Sequence, residues 1–409
     1  MWERLFDRMV DNIIRSGTLQ LTMPDGRTRT LGDGTGDPIA IRLTDPTLPR
    51  RILHNPDLAV GEGYLEGTLL VEGDDLRGFL ALATRNMATR RDLPWQRPLT
   101  FARHAARRWH QFNPVGRARS NVAHHYDLSA DLYDLFLDAD KQYSCAYFAH
   151  PDMSLDEAQY AKKRHIADKL LIEPGMTVLD IGCGWGGMGL TLARDYGARV
   201  TGVTLSEEQH KIATRRAKEA GLSDRCDFRL MDYRHVTETF DRVVSVGMFE
   251  HVGTPHYDEY FSTIHDRLAP DGVALIHTIG RMRPPGITSP WIEKYIFPGG
   301  YIPALSEMTA PVERQALYMT DVEIWRLHYA ETLKHWHDRF VENEDRARAL
   351  YDDRFCRMWR YYLLAAELTF RHNWQCVFQV QLAHDQQAVP LTRDYLYPAA
   401  AQAHRQAAE

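Results

Sequence analysis

A glycine-rich turn carries the first chemistry in this chain. Gly182, Gly184, Gly186 and Gly187 follow the apolar run TVLDIG (177–182) and open a helical pattern, satisfying G-x-G-x-x-G. Such a turn lets a ligand approach the backbone at a helix N-terminus. Asp180, at the end of the preceding strand, narrows the ligand. A carboxylate there attracts a cation and repels a pyrophosphate. The next strand ends in Thr204 and Leu205, where a dinucleotide site wants a ribose-binding acid; the first acids, Glu207 and Glu208, fall inside the following helix. S-adenosylmethionine carries an ammonium and a sulfonium and no phosphate, so it suits this turn better than NAD does. The plainer alternative is a tight turn that binds nothing. Five glycines, counting Gly189, directly behind an acidic strand end argue against it.

Two further groups sit where a doubly wound sheet collects its ligands, at the carboxyl ends of strands. Glu250 follows FDRVVSVG (240–247), and His277 lies near the end of GVALIHTIG (272–280). Each has a duller role available: an acid after a strand often caps a helix, and a histidine in an apolar strand is often a satisfied structural group. Their convergence on one end of the sheet favours function.

Positioning these residues requires the alternation that begins near residue 172. Strands are expected at 177–182, 198–205, 227–232, 240–247 and 272–280, with helices at 187–196, 206–220 and 256–269. That order implies a parallel sheet covered on both faces. Helices near 322–341 and 347–370 and a late strand at 374–383 complete the layer. Upstream, MWERLFDRMVDNIIRSG reads as an amphipathic helix that either docks on its own domain or lies on a membrane, docking being the commoner fate. Short strands over 18–73 and a helix over 75–89 make residues 1–90 a small mixed domain. Residues 89–120 then hold eight arginines and one acid, Asp92, interleaved with Trp95, Phe101, Trp109 and Phe112. This is either a solvated linker (91–120) or a segment drawn to an anionic surface. The catalytic domain is expected over 121–395 and a tail over 396–409.

Composition sets the outer limits. The 409 residues carry 49 Lys+Arg against 55 Asp+Glu, a net charge of −6, which argues against a wholly basic nucleic-acid binder and leaves room for a local basic patch. Apolar residues at 44% and charged ones at 25% exclude a disordered or fibrous chain. The five cysteines are scattered and no CxxC occurs, so neither a disulfide framework nor a metal site is indicated and a reducing cytosol fits. No run of about 18 uncharged apolar residues exists to span a bilayer, and the N-terminus lacks the unbroken apolar segment of a signal peptide.

With these residues in view, the sequence resembles cyclopropane-fatty-acyl-phospholipid synthases and the related mycolic-acid cyclopropane synthases. The runs that carry the resemblance are NVAHHYDLSADLYDLFLD, YSCAYF, VLDIGCGWGG, GVTLSEEQ, MFEHVG, LIHTIG and PWIEKYIFPGGYIP. It is dense over about 115–395 and looser in the N-terminal domain. YSCAYF before the glycine turn and FEHVG after it form a specific combination.

The resemblance implies an α/β fold, a class I S-adenosylmethionine-dependent methyltransferase (Rossmann-like) sheet, with the small mixed N-terminal domain making lipid or membrane contact. It implies transfer of a methylene from S-adenosylmethionine to the cis double bond of an unsaturated acyl chain in membrane phospholipid. Tyr143, Ser144, Gly182, Gly184, Thr204 and Gln209 match cofactor-contacting positions, beside Asp180 and Gly186 of the turn. Asp232 and Tyr233 fall where the adenine pocket is expected. Cys145, Glu250, His277, Ile279 and Tyr329 match positions that hold a bicarbonate ion, the last placed by HYAETLKHWHDRF. Methyl transfer leaves a carbocation on the acyl chain, and ring closure needs a base; bound bicarbonate accepts the proton. A proton-sharing Glu250 would then need a raised pKa. Cys145 and Ile279 have core packing as their plainer reading. Trp291, Tyr295, Ile296 and Phe297 suggest a wall of an acyl channel, whereas Trp325, Trp336, Trp359 and Trp374 are expected in the core.

A homodimer, peripherally associated with the inner face of the membrane from the cytoplasm, is the family expectation. Methyl transfer without ring closure is the alternative activity. A lipid-binding protein with a relict cofactor fold is the non-enzymatic one. RNA methylation through the arginine segment is weak, because nothing resembles a base-reading module.

Overall fold

In the computed structural model, residues 2–88, 111 and 129–397 are described. The arginine-rich segment, apart from Gln111, and the last twelve residues lie outside them. The β-branched and leucine-rich runs read from the sequence form β5 (Thr177–Ile181), β6 (Arg199–Thr204), β7 (Cys226–Leu230), β8 (Phe240–Val246) and β9 (Leu268–Arg281). These five are parallel, and β10 (Tyr318–Trp325) and β11 (Gln375–Ala383) add an antiparallel edge. The strand order is β10-β11-β9-β8-β5-β6-β7. Chain direction across the sheet therefore reverses at β5, whose neighbours are β6 on one side and β8 on the other. The crevice beyond the carboxyl ends of β5 and β8 is where such a sheet binds ligands. Val178, Leu179, Val243, Val244 and Ile276 are at most 1% exposed, as strands covered by helices on both faces must be.

The N-terminal residues form a second sheet, β2-β1-β3-β4, from Thr28–Gly32, Thr18–Thr22, Ile39–Leu43 and Leu69–Val71. The amphipathic helix Trp2–Ile13 docks on this unit: Phe6 and Met9 are buried, and Arg29 ties Asp7 and Asp11 on its polar side. The two sheets share one apolar cluster, in which Phe79 and Leu80 join Trp291, Trp359 and Tyr361. Arg77–Glu367, Arg360–Asp74 and Lys294–Glu62 pair across the same seam. Gly61 belongs to it as well, because a Cβ there would lie 2.4 Å from the Trp291 indole.

Three expectations need correction. The stretch 44–66, read as strand and turn, holds the helices Leu48–His54 and Pro56–Leu65. Pro49 and Pro56 start these helices instead of breaking strands, and Gly61 stands inside the second for packing rather than turning. Residues 322–325, read as the start of a helix, close strand β10; helix resumes at His328. As an edge strand β10 is half-buried along most of its length, so period-two alternation is weak there. Trp374, expected in the core, is 55% exposed with the Arg283 guanidinium over its ring, whereas Trp325, Trp336 and Trp359 are buried.

Candidate active site

The turn after β5 builds the floor of a cavity at the crevice. Gly182 and Gly184 take φ of +80° and +56°, and a Cβ on Gly182 would lie 2.8 Å from Met248 Cγ. Only glycine adopts that backbone without strain and leaves the cavity open. Tyr143, Ser144, Asp180, Gly182, Gly184, Thr204, Gln209, Asp232 and Tyr233 all line it. Gly186 does not. It precedes the helix Gly187–Asp195 with φ +82°, and its Cα faces Phe228 and Ala213, so its role is helix packing.

Asp180 is 2% exposed, and its Oδ2 has no hydrogen-bond partner among the described residues. Burial alone pushes its carboxyl up to about 7. A lone carboxyl on a cavity floor stabilises a cation placed beside it. Where a dinucleotide site would carry an acid, the Thr204 hydroxyl donates to Gln209 Oε1 at 2.8 Å. Asp232 is held by two guanidinium nitrogens of Arg234, at 2.9 and 2.8 Å, and Arg234 keeps its carboxyl below the usual range despite burial.

A second cavity, of about 330 Å³, adjoins the first. Tyr143, Ser144, Gly247 and His251 line both, so the two meet there. Cys145, Glu250, His277, Ile279 and Tyr329, predicted together from four separate sequence segments, all line the second. Its remaining wall is mostly apolar and aromatic, with Trp291, Ile292 and Phe297 from the PWIEKYIFPGG run and Met87 from the N-terminal unit. Tyr295 and Ile296 are not on that wall. Ile296 is buried, and Tyr295 turns its hydroxyl to Glu62.

Glu250 is placed by the end of a strand pair. β8 pairs with β9 as far as Val246↔His277, and a single helical turn, Phe249–His251, follows. Beyond that point the Ile279 N–H donates to Glu250 Oε1 at 2.7 Å. Glu250 Oε2 is buried with no hydrogen-bond partner among the described residues. Burial raises the carboxyl to about 7, against the opposing pull of the Ile279 amide, its own amide and the Thr278 hydroxyl.

His277 is 2% exposed, and burial holds its pKa well below the ordinary value. Gln379 Nε2 donates to its Nδ1 at 3.1 Å. The neutral ring then carries its proton on Nε2. Burial also pushes the Cys145 thiol up, so it is a neutral packing group and no thiolate.

Sequence reasoning missed the groups behind this wall. Gln379 lies on β11, opposite His277 in register, and Tyr362 meets Tyr143 hydroxyl to hydroxyl at 3.1 Å. Lys162 holds Ser144 from below. None belongs to a motif. Only the polar residue in the apolar run of β11 gave a signal.

The model of the mycolic acid cyclopropane synthetase family matches residues 115–380, and a domain of unknown function matches 2–90. The cyclopropane-fatty-acyl-phospholipid synthase of Escherichia coli (strain K12) is 39% identical over 347 residues, 83% of this chain and 88% of its own. The tuberculostearic acid methyltransferase of Mycobacterium tuberculosis is 35% identical over 382 residues, 86% of each chain. Among solved structures, a mycolic acid cyclopropane synthase complexed with SAH and CTAB superposes with a TM-score of 0.62 at 34% identity, covering 66% of this chain and 99% of that one. The joined cavities thus stand in a chain that belongs to the mycolic acid cyclopropane synthetase family of S-adenosylmethionine-dependent enzymes.

Proposed function

We propose that this enzyme transfers a methylene from S-adenosylmethionine to the cis double bond of an unsaturated acyl chain in membrane phospholipid and closes a cyclopropane ring with bicarbonate as the base. The observation that carries this is the pair of joined cavities, one lined by the Asp180 carboxyl and the other, mostly apolar, by the Glu250 carboxyl, each with a buried oxygen that has no hydrogen-bond partner among the described residues. When bound, S-adenosylmethionine supplies an electrophilic methyl on its sulfonium, and bicarbonate supplies a base that leaves as a neutral acid.

The residues fit both groups. Asp180, buried and unpartnered, gains a partner when a cationic ligand sits in the turn, and its ionised form then becomes the stable one. The donor set of the second cavity suits an anion. It comprises the His277 Nε2–H, the Tyr329 hydroxyl, the Ser144 hydroxyl and the carboxylic acid of Glu250, which stays protonated up to about pH 7. Aromatic walls exclude water, so the alkene and the methyl donor meet without competition from solvent. Alignment of the two in contact is the larger part of the rate.

Phospholipid as substrate, reversible contact with the membrane surface and a homodimer belong to the same reading. No helix among the described residues is long and apolar enough to cross a membrane. Binding to anionic vesicles that weakens steeply with salt would implicate the arginine-rich segment.

Transfer without ring closure is the second reading. The likeness to a tuberculostearic acid methyltransferase over 86% of the chain favours keeping it. Mass spectrometry of phospholipids incubated with enzyme and methyl donor, with and without bicarbonate, decides between them. A gain of one CH2 that survives alkene hydrogenation, and that falls when bicarbonate is removed, supports cyclopropanation. A methyl-branched or methylene product supports the second reading, and no lipid product refutes both.

A further inference from the structure

Lys162 lies on the helix Leu155–Lys169, whose first turn is fixed by a capping box between Ser154 and Glu157. Its side chain is wholly buried. Nζ donates to Gln142 Oε1 at 2.9 Å and to Ser144 Oγ at 2.7 Å. Among the described residues no carboxylate comes within ion-pair distance of it. The neighbouring cations differ: Lys163 and Arg216 pair with Asp140, and Lys169 pairs with Glu323. A buried ammonium without a contacting carboxylate is costly: Asp138 and Asp140 support its charge only through space, and burial still pulls it down to about 8. The fold tolerates that cost at the one place where both of its partners line the cofactor cavity and Ser144 also lines the second.

The chemistry of the contact is directional. An ammonium only donates, so Ser144 Oγ is the acceptor, and the serine's own proton remains available to a ligand. A hydroxyl that accepts from a cation is also a stronger donor. The positive charge bears on Cys145 and His277 as well, both on the second cavity. Lys162 therefore stands behind the junction of the two cavities, one hydroxyl removed from it.

We propose that Lys162 is a positioning residue, the buried counter-charge for a carboxylate-type anion seated at Ser144. That anion is either bicarbonate or the α-carboxylate of the methyl donor, and the assignment of bicarbonate rests on the functional reading above. It never touches the anion; it orients and polarises the Ser144 hydroxyl and supplies the charge that no arginine or lysine on the cavity wall beside Glu250 provides.

The test compares full-length wild type with Lys162→Met, Lys162→Gln and Lys162→Arg. Calorimetry gives the affinities for S-adenosylhomocysteine and for its decarboxylated analogue; turnover gives the bicarbonate dependence. If the seat takes the cofactor carboxylate, Lys162→Met weakens S-adenosylhomocysteine by about tenfold or more, leaves the decarboxylated analogue unchanged, and Lys162→Arg restores part of the loss. If it takes bicarbonate, both affinities hold and the bicarbonate concentration for half-maximal turnover rises by a similar factor. Unliganded Lys162→Met should melt no lower than wild type, because a desolvated charge has been removed; a purely structural lysine would lower it. Lys162→Gln, which keeps the polar contact, covers a methionine variant that fails to fold. Unchanged ligand discrimination together with an unchanged bicarbonate response overturns the proposal. A wild type that ignores bicarbonate and makes no ring overturns the functional reading instead, and the calorimetric arm still decides the role of Lys162.

Discussion

Replacing Glu250 by glutamine should make the protein more stable and inactive at once, with a stability gain that grows as pH rises from 4.5 to about 7 and holds above it. The wild-type carboxyl is raised from 4.5 to about 7 because it is buried with one oxygen unpartnered. That difference corresponds to about 3 kcal/mol. The sign follows from which state holds the proton. Below pH 4.5 the carboxyl is protonated in both the folded and the unfolded chain, and it adds no pH dependence. Between 4.5 and 7 the unfolded chain ionises while the folded one stays protonated, so stability drains as pH rises. Above 7 the full penalty is present. Glutamine does not titrate, and its amide oxygen can still accept from Ile279 N–H. The variant should therefore match wild type near pH 4.5 and exceed it by roughly 3 kcal/mol at pH 8. Denaturant or thermal melts of both proteins at pH 5 and pH 8 give the double difference, in which unrelated effects of the substitution cancel. Turnover at pH 8, read as ring product by lipid mass spectrometry, should fall by about a hundredfold or more, as expected for loss of a group that handles the proton. A glutamine variant that is less stable at pH 8, or that keeps wild-type turnover, would refute the reasoning.

The other expectations concern the cofactor turn, the seam and the histidine. Affinity for the cationic methyl donor should rise as pH passes upward through about 7, as Asp180 ionises, and Asp180→Asn should flatten that rise and weaken binding by about tenfold or more in calorimetry. Gly182→Ala places a Cβ 2.8 Å from Met248 Cγ at φ +80°, so cofactor binding should be lost while the circular dichroism stays native. Gly61→Ala drives a methyl into the Trp291 indole and should cost about 1–3 kcal/mol in a chemical melt, with lower turnover because Trp291 also lines the second cavity. Gln379→Leu removes the donor to His277 Nδ1; turnover should drop about tenfold while S-adenosylhomocysteine affinity is unchanged.

Much of this protein was legible in the chain itself. Pattern marked the five parallel strands: the central ones are largely apolar because both faces are covered, and the edge strand Cys226–Leu230 alternates because one side meets solvent. The glycine turn was readable because positive φ admits little else, and Asp180 because a charge beside such a turn has few structural uses. The neighbourhood of Glu250 and His277 followed from where a doubly wound sheet gathers its strand ends. What local pattern misstated was set by packing. Two helices, Leu48–His54 and Pro56–Leu65, stand in a stretch read as short strands, with Gly61 packed inside the second, and the edge strand Tyr318–Trp325 hid its alternation because both its faces are half-covered.

The electrostatic state of the site was decided only by the tertiary structure. Whether a carboxyl titrates near 4 or near 7 depends on what surrounds it in three dimensions, and no spacing rule encodes desolvation. The same holds for Gln379 and Lys162, ordinary residues of a strand and a helix until folding sets one against His277 and the other beneath Ser144. Composition and spacing can name the groups that do chemistry; the charges they carry come from the water that folding removes.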